Sequence, residues 1–270
     1  MTRQAGGLGH RAGAAWGQPW AGTTPSRAIR HNFGQSRADL IASMDGVQYQ
    51  YTVLADTPKG YWRLGESDRI AQDISGSGFH GSHQQTTKNE RPTATLTAAP
   101  QLSTTIGTGT GGIHLGTLTP SYAYPCVEMI YKHAAAPVTN LSRLWGTNYE
   151  GSSEFAFEVG VNTSNDINVY LTFTDGAPGW TNTNVTLNLN TRYHLVVGWD
   201  GLQVFVYLNG VYQTSVGTAW AGRVLIATTA ARSIGGDVSS SLEGIFQDVA
   251  YYNYRLSPER ITRHYAAIDK

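Results

Sequence analysis

The sequence predicts an all-β, antiparallel jelly-roll β-sandwich with an extended N-terminal arm and a short C-terminal helix. Three observations predict it. Charged residues are 14% of the 270 and glycine alone counts 31, a composition poor in charged helical faces and rich in turn formers. Two Asx-Gly pairs, Asp200-Gly201 and Asn209-Gly210, separate β-rich runs at hairpin spacing. Several more short β-rich runs are parted by turn-rich spacers, and one well-marked helix start follows them.

Residues 1–48 differ from the remainder. Arg3, Arg11, Arg27, Arg30 and Arg37 face only Asp39 and Asp45, and no periodicity is sustained. Such a stretch reads as a disordered basic tail. Trp16, Trp20, Ile29 and Phe33 argue for an arm that orders on a partner, because large apolar side chains are wasted on a solvated tail. From residue 49 onward the pattern is strand and turn. Strands are expected at Gly60 to Leu64, Cys126 to Tyr131, Phe155 to Val161, Ile167 to Phe173, Val224 to Ile226 and Ile245 to Tyr252, with Thr104 to Gly112 as a loop. The run Tyr193 to Ser215 reads as a three-stranded meander. Its middle strand, Leu202 to Leu208, alternates Leu202, Val204, Val206 and Leu208 against Phe205 and Tyr207, so both faces are apolar and the strand belongs inside a sheet. Ser257 as N-cap and Pro258 at the first helical position start a helix that runs to about Ala267.

Cys126, the single cysteine, excludes an internal disulfide and reads as a small buried hydrophobe in its strand. Formal net charge is zero, so nucleic acid is not an expected partner. No apolar run reaches the ~20 residues that span a bilayer, so membrane insertion is not expected. No apolar stretch of the signal-peptide kind follows Met1, which predicts synthesis and folding in a cytoplasm.

Three separated segments carry a family resemblance: Ala55 to Glu66 (ADTPKGYWRLGE) followed by Asp73 to Gly81 (DISGSGFHG); Tyr193 to Gly201 (YHLVVGWDG) with Val206 to Gly210 (VYLNG); and Ser233 to Gly236, Leu242 to Tyr252 and Leu256 to Tyr265. In this order they resemble the laminin-G-like, concanavalin-A-like family found in bacterial surface and phage proteins. That fold houses lectins, carbohydrate-binding modules, adhesion domains and some glucanases, so it does not choose a function. The glucanases of the fold carry a Glu-x-Asp-x-x-Glu type of triplet on one strand, and no such triplet occurs here. Glu150, Glu154 and Glu158, spaced by four, share a strand face, but lie too far apart along it for a working pair and read as a solvated outer face. No nucleophile elbow, zinc motif or phosphate loop is present. The expectation is therefore a protein that is not an enzyme.

Calcium is the cofactor that the resemblance implies. Asp73, Ser75 and Gly78 form a turn rich in hard oxygens, and family members bridge such a turn to an acid near the last strand, here Asp248. The same residues also read as an Asx-turn and a carboxylate on a backbone N–H. For sugar, the pattern sought is a loop aromatic beside amides or carboxylates. Trp145 with Asn148 and Tyr149, and Trp180 with Asp175, Asn182 and Asn184, meet it, whereas Trp62 and Trp199 read as core. Trp180 reads equally as a loop plug. The sequons at Asn140, Asn162 and Asn184 read as incidental in a chain without an export signal.

An adhesion-type sandwich without an export signal is reconciled by a virion: a phage minor tail protein, assembled in the host cytoplasm, whose arm docks on other tail or capsid proteins and whose sandwich binds host-surface glycan or stabilises the particle. The alternative is a carbohydrate-binding module of a secreted bacterial protein, at the cell surface or outside it. A homotrimer is common among tail fibres and spikes, but no heptads support one here.

Overall fold

The computed structural model describes residues 48–66, 69–83, 104–106, 112–116, 124–137, 142–147, 156–176, 178–227, 230–236 and 242–268. Apart from Gln48, the N-terminal arm lies outside them. Two antiparallel sheets are formed. Sheet A runs in the order β1 (Gly60–Trp62), β15 (Gly244–Tyr252), β6 (Cys126–His133), β11 (Arg192–Trp199), β12 (Val204–Leu208), β13 (Val211–Val216), with β4 (Thr104–Ile106) also paired to β15. Sheet B runs β10 (Pro178–Thr186), β9 (Asp166–Thr172), β8 (Phe157–Val161), β7 (Ser142–Thr147), β14 (Arg232–Ile234), β5 (Ile113–Gly116), β3 (Gly81–His83), β2 (Ile70–Ala71). A β-sandwich of this kind is the expected fold.

Alternation along the strands explains the layering. In β6, Val127, Met129 and Tyr131 enter the core between the sheets, while Cys126 and Ile130 belong to a second core on the other side of sheet A. In β12, Val204 and Val206 face the first core, and Phe205 and Tyr207 the second. Sheet A is thus covered on both faces, which is why its strands read as nearly continuous apolar runs. The cover is helical. Residues 48–54 form a helix, α1, that contributes Tyr49 and Val53, and α2 (Pro258–Ala267) contributes Ile261 and Ala267. Ser257 caps α2 by accepting from the Arg260 backbone N–H, with Pro258 in the first turn, as the sequence predicts.

Several expectations are corrected. Helix α1 stands where a strand pattern was expected to begin. β4 pairs with β15 inside the stretch read as a loop. Val224 to Ile226 makes only an isolated bridge, Phe173 to Leu225. Asn209 (φ 53°) and Gly210 (φ 75°) make the expected two-residue turn, whose Gly210 backbone leaves no room for a larger side chain beside Tyr265. Asp200-Gly201 does not make one. The Asp200 carboxylate accepts from the backbone N–H groups of Leu202 and Gln203, so the loop is longer, Leu202 is exposed, and β12 begins only at Val204.

The centre of the main core is aromatic. Trp145 of β7 stacks on Tyr251 of β15 (centroids 4.8 Å, 16° between planes) and meets Trp62 at 6.0 Å. All three rings are buried, so Trp145→Ala removes the contact that bridges the sheets and is expected to cost about 3–5 kcal/mol in urea unfolding.

Candidate functional site

Pairing fixes which side chains share the outer face of sheet B. Trp180 of β10 lies opposite Tyr170 of β9, and Asn182 opposite Asn168. The intervening residues, Val169 and Leu171, enter the core, and Gly179 faces inward onto Trp220. Trp180 and Tyr170 are therefore side by side on the outside, ring centroids 4.8 Å apart, and Trp180 keeps 44% of its surface exposed. Polar atoms lie on either side of the pair. The amide oxygen of Asn168 and the hydroxyl of Thr172, two residues before and after Tyr170 on the same face, accept no hydrogen bond within the structure. Asn182 donates its amide to Asp166 at 3.1 Å, and the Thr186 hydroxyl donates to the same carboxylate. The hydrogen bonds from Thr186 and Asn182 hold the Asp166 carboxyl below the usual range. Asp175 sits in the turn after β9, 3.5 Å from Arg223. The structure thus groups Trp180 and Asn182 on one surface and adds Tyr170 and Asn168, which sequence reading missed.

The other aromatic candidate is corrected. Trp145 points between the sheets with no exposed surface and cannot stack on a sugar. Its proposed neighbours Asn148 and Tyr149 lie outside the described residues, as do Glu150 and Glu154. Glu158 is corrected too: it is 1% exposed rather than solvated, and its carboxylate pairs with Arg143 at 3.2 Å.

The aspartate turn is wound around its own carboxylate. Asp73 accepts from the backbone N–H groups of Tyr61 (3.0 Å), Ser75 (2.9 Å) and Phe79 (2.9 Å), while the Ser75 hydroxyl accepts from the Ser77 N–H. Gly76 and Gly78 take the positive φ that the winding needs. Asp248 sits on a bulge in β15 at φ 49° and accepts from the Tyr61 hydroxyl (2.6 Å), Arg63 (3.2 Å) and Gln247 (3.0 Å). Burial pushes its carboxyl upward against the pull of the Arg63 charge. The two acids are therefore bound to opposite ends of one tyrosine, and their oxygens face N–H, O–H and guanidinium donors. A calcium ion needs six to eight oxygens aimed inward, so these residues do not fit one. Among the described residues, no group of three or more His, Cys, Asp or Glu is placed to hold a metal.

A second polar cluster, unexpected from the sequence, lies beneath the helices. Glu128 of β6 is fully buried, and its carboxylate accepts from the hydroxyls of Tyr49 (3.0 Å) and Tyr252 (2.8 Å) and faces ring nitrogens of His194 (2.6 Å) and His264 (2.9 Å). Cys126, two residues earlier, is buried as expected, and burial pushes its thiol far up, away from reactivity.

The donor set of Asp73 leads to a test. Melting of the protein is expected to be unchanged by chelator or by added calcium. Asp73→Asn, which turns an acceptor into a donor against a backbone N–H, is expected to cost about 1–3 kcal/mol in either condition. A melting point that rises with calcium in the parent and not in Asp73→Asn would restore the metal site.

Residues 132–262 match the family described as the concanavalin A-like lectin/glucanases superfamily, laminin-G type. No curated protein sequence matches the chain. Among solved structures, a Trypanosoma rangeli sialidase in complex with the inhibitor DANA aligns with TM-score 0.57 and 13% identity over 84% of this chain and 38% of that one. Domain 4 of an extracellular arabinanase from Geobacillus stearothermophilus, in complex with arabinotriose, aligns with TM-score 0.56 and 17% identity over 77% of this chain and 97% of that domain. The binding domain of Paraclostridial Mosquitocidal Protein 1 aligns with TM-score 0.58 and 11% identity over 78% of this chain and 52% of that one. This chain thus spans well under two thirds of the sialidase, and at these identities the likeness establishes the fold alone. Motif order, sandwich topology and family match converge on one fold: residues 132–262 are similar to the laminin-G-like family of the concanavalin A-like superfamily.

Proposed function

We propose that the sandwich is a non-catalytic glycan-recognition module whose site is the outer face of β9 and β10. The exposed Trp180, held at a tilt against Tyr170, carries the reading. An indole fixed by a neighbouring ring offers a sugar a flat apolar surface at low entropic cost, and the exposed Asn182 offers a polar partner for hydroxyls. The complex of the arabinanase domain with arabinotriose supports the class of ligand. The described carboxylates of this face support the absence of catalysis: Glu158 is committed to Arg143, and Asp166 to Thr186 and Asn182.

In this reading the sandwich is displayed on a virion as a minor tail protein, attached to other particle proteins through residues 1–48. Their five arginines and two tryptophans suit docking on a partner rather than solvation. A carbohydrate-binding module of a secreted bacterial protein would use the same face.

On a glycan array, Trp180→Ala is expected to lose binding at least about tenfold, in line with an aromatic anchor worth more than 1 kcal/mol, while its melting point stays that of the parent. Undiminished binding would move the site elsewhere, and a parent that binds no glycan would sink the proposal. Removal of residues 1–47 is expected to leave the sandwich folded but absent from assembled particles, scored by immunoblot of purified virions; normal incorporation would reject the docking role.

A further inference from the structure

His264, near the end of α2, is buried between two carboxylates. Its Nδ1 lies 3.0 and 2.9 Å from the two oxygens of Glu128, and its Nε2 lies 2.6 Å from Asp56. A neutral imidazole has one N–H and one lone pair, so one of these contacts would set a lone pair against a carboxylate oxygen. The imidazolium donates at both. Charge agrees with this assignment: Asp56 and Glu128 are balanced by His264 and by Arg260, which pairs with Asp56.

The remaining groups around the cluster do not need a second proton. His194 of β11 meets Glu128 through Nε2, while its buried Nδ1 meets no partner, so one proton suffices there. Tyr49 of α1 and Tyr252 of β15 donate hydroxyls to Glu128, and burial followed by the charge of Glu128 pushes both phenols far up, leaving them neutral donors. For Glu128 itself burial raises the carboxyl, but the charge of His264 and the hydrogen bonds from His194 and His264 outweigh it and hold the group well below the usual range. Its contribution to stability is therefore present above the ordinary carboxylate range and lost only in strong acid. A His264 ring that donates at both nitrogens cannot lose a proton without setting a lone pair against one of its two carboxylates.

Three residues tether the 48–56 segment by polar contacts: Tyr49 to Glu128, Gln50 to Arg63, and Asp56 to His264 and Arg260. Apolar burial in the same segment is confined mainly to Tyr49 and Val53, whereas α2 and its flanks bury Leu256, Ile261, Ala267 and Ile268. The segment is the weaker partner in the cluster. We propose that the Asp56–His264–Glu128 relay is a protonation-dependent latch that holds residues 48–56, through which the N-terminal arm enters, against the outer face of sheet A.

The full-length protein tests this by NMR across about pH 5 to 10, a range that brackets ordinary histidine titration. At the acid end the two ring nitrogens of His264 are expected to show imidazolium shifts. As they change to those of a neutral ring, amide protection of residues 49–55, corrected for the intrinsic rate, is expected to fall about tenfold while β11 keeps its protection. Asp56→Asn, which can face either a lone pair or an N–H, is expected to abolish that pH dependence, and His264→Gln to do the same should Asp56→Asn not fold. A neutral His264 ring at the acid end, protection that is independent of pH in the parent, or an unchanged pH dependence in the folded variant would each overturn the latch. Because the readout involves no ligand, its outcome is independent of the glycan site.

Discussion

A carboxylate with no access to water must find all its partners in the protein, and Glu128 imposes that requirement on the middle of sheet A. It lies on a central strand, on the face that the helices cover. One partner comes from each surrounding element: Tyr49 from α1, His194 from β11, Tyr252 from β15 and His264 from α2. Removing a single donor leaves a charge buried beside a gap, so elements far apart in sequence hold one another in place. The apolar residues around the cluster, Val53, Ile130, Val196 and Ile261, supply burial but not this directionality. Sheet A is in consequence a two-faced wall, with an apolar core toward sheet B and the Glu128 cluster beneath the helices.

How much of this was legible depends on the range of the interaction. Local chemistry was readable: the Asn209-Gly210 turn, the Ser257 cap and the alternation of Val204, Phe205, Val206 and Tyr207 are each decided within a few residues. Trp145 was misread because an indole in Arg-Leu-Trp-Gly-Thr looks alike on a loop and on a short bulged strand, and only the pairing of β7 with β8 and β14 turns it inward. The cluster joins Glu128 to residues up to 136 positions away, for which no spacing motif exists. One signal was present. Glu128 within Cys126 to Tyr131, and His194 within Tyr193 to Trp199, are polar residues at positions that the apolar pattern marks as buried, and each requires a partner.

The acids flanking Tyr61 show the limit of resemblance. Asp73 and Asp248 are the two acids that the resemblance pairs, but their chemistry is decided by what points at them. Backbone N–H groups of the turn fill Asp73, and a guanidinium, an amide and a phenol fill Asp248. Tyr61, donating one end to each, does as a hydrogen-bonded brace what an ion would do as a shared charge.

The layering also gives the molecule a direction. Helix α1, where the described chain begins, packs on one outside of the sandwich, and the Trp180–Tyr170 pair lies on the other, with both sheets between them. Helix α1 and the indole of Trp180 are therefore separated by both sheets. Under the proposed function, an attachment made close to α1 and a sugar bound at Trp180 would face away from each other, and the sandwich would act as a rigid spacer between them.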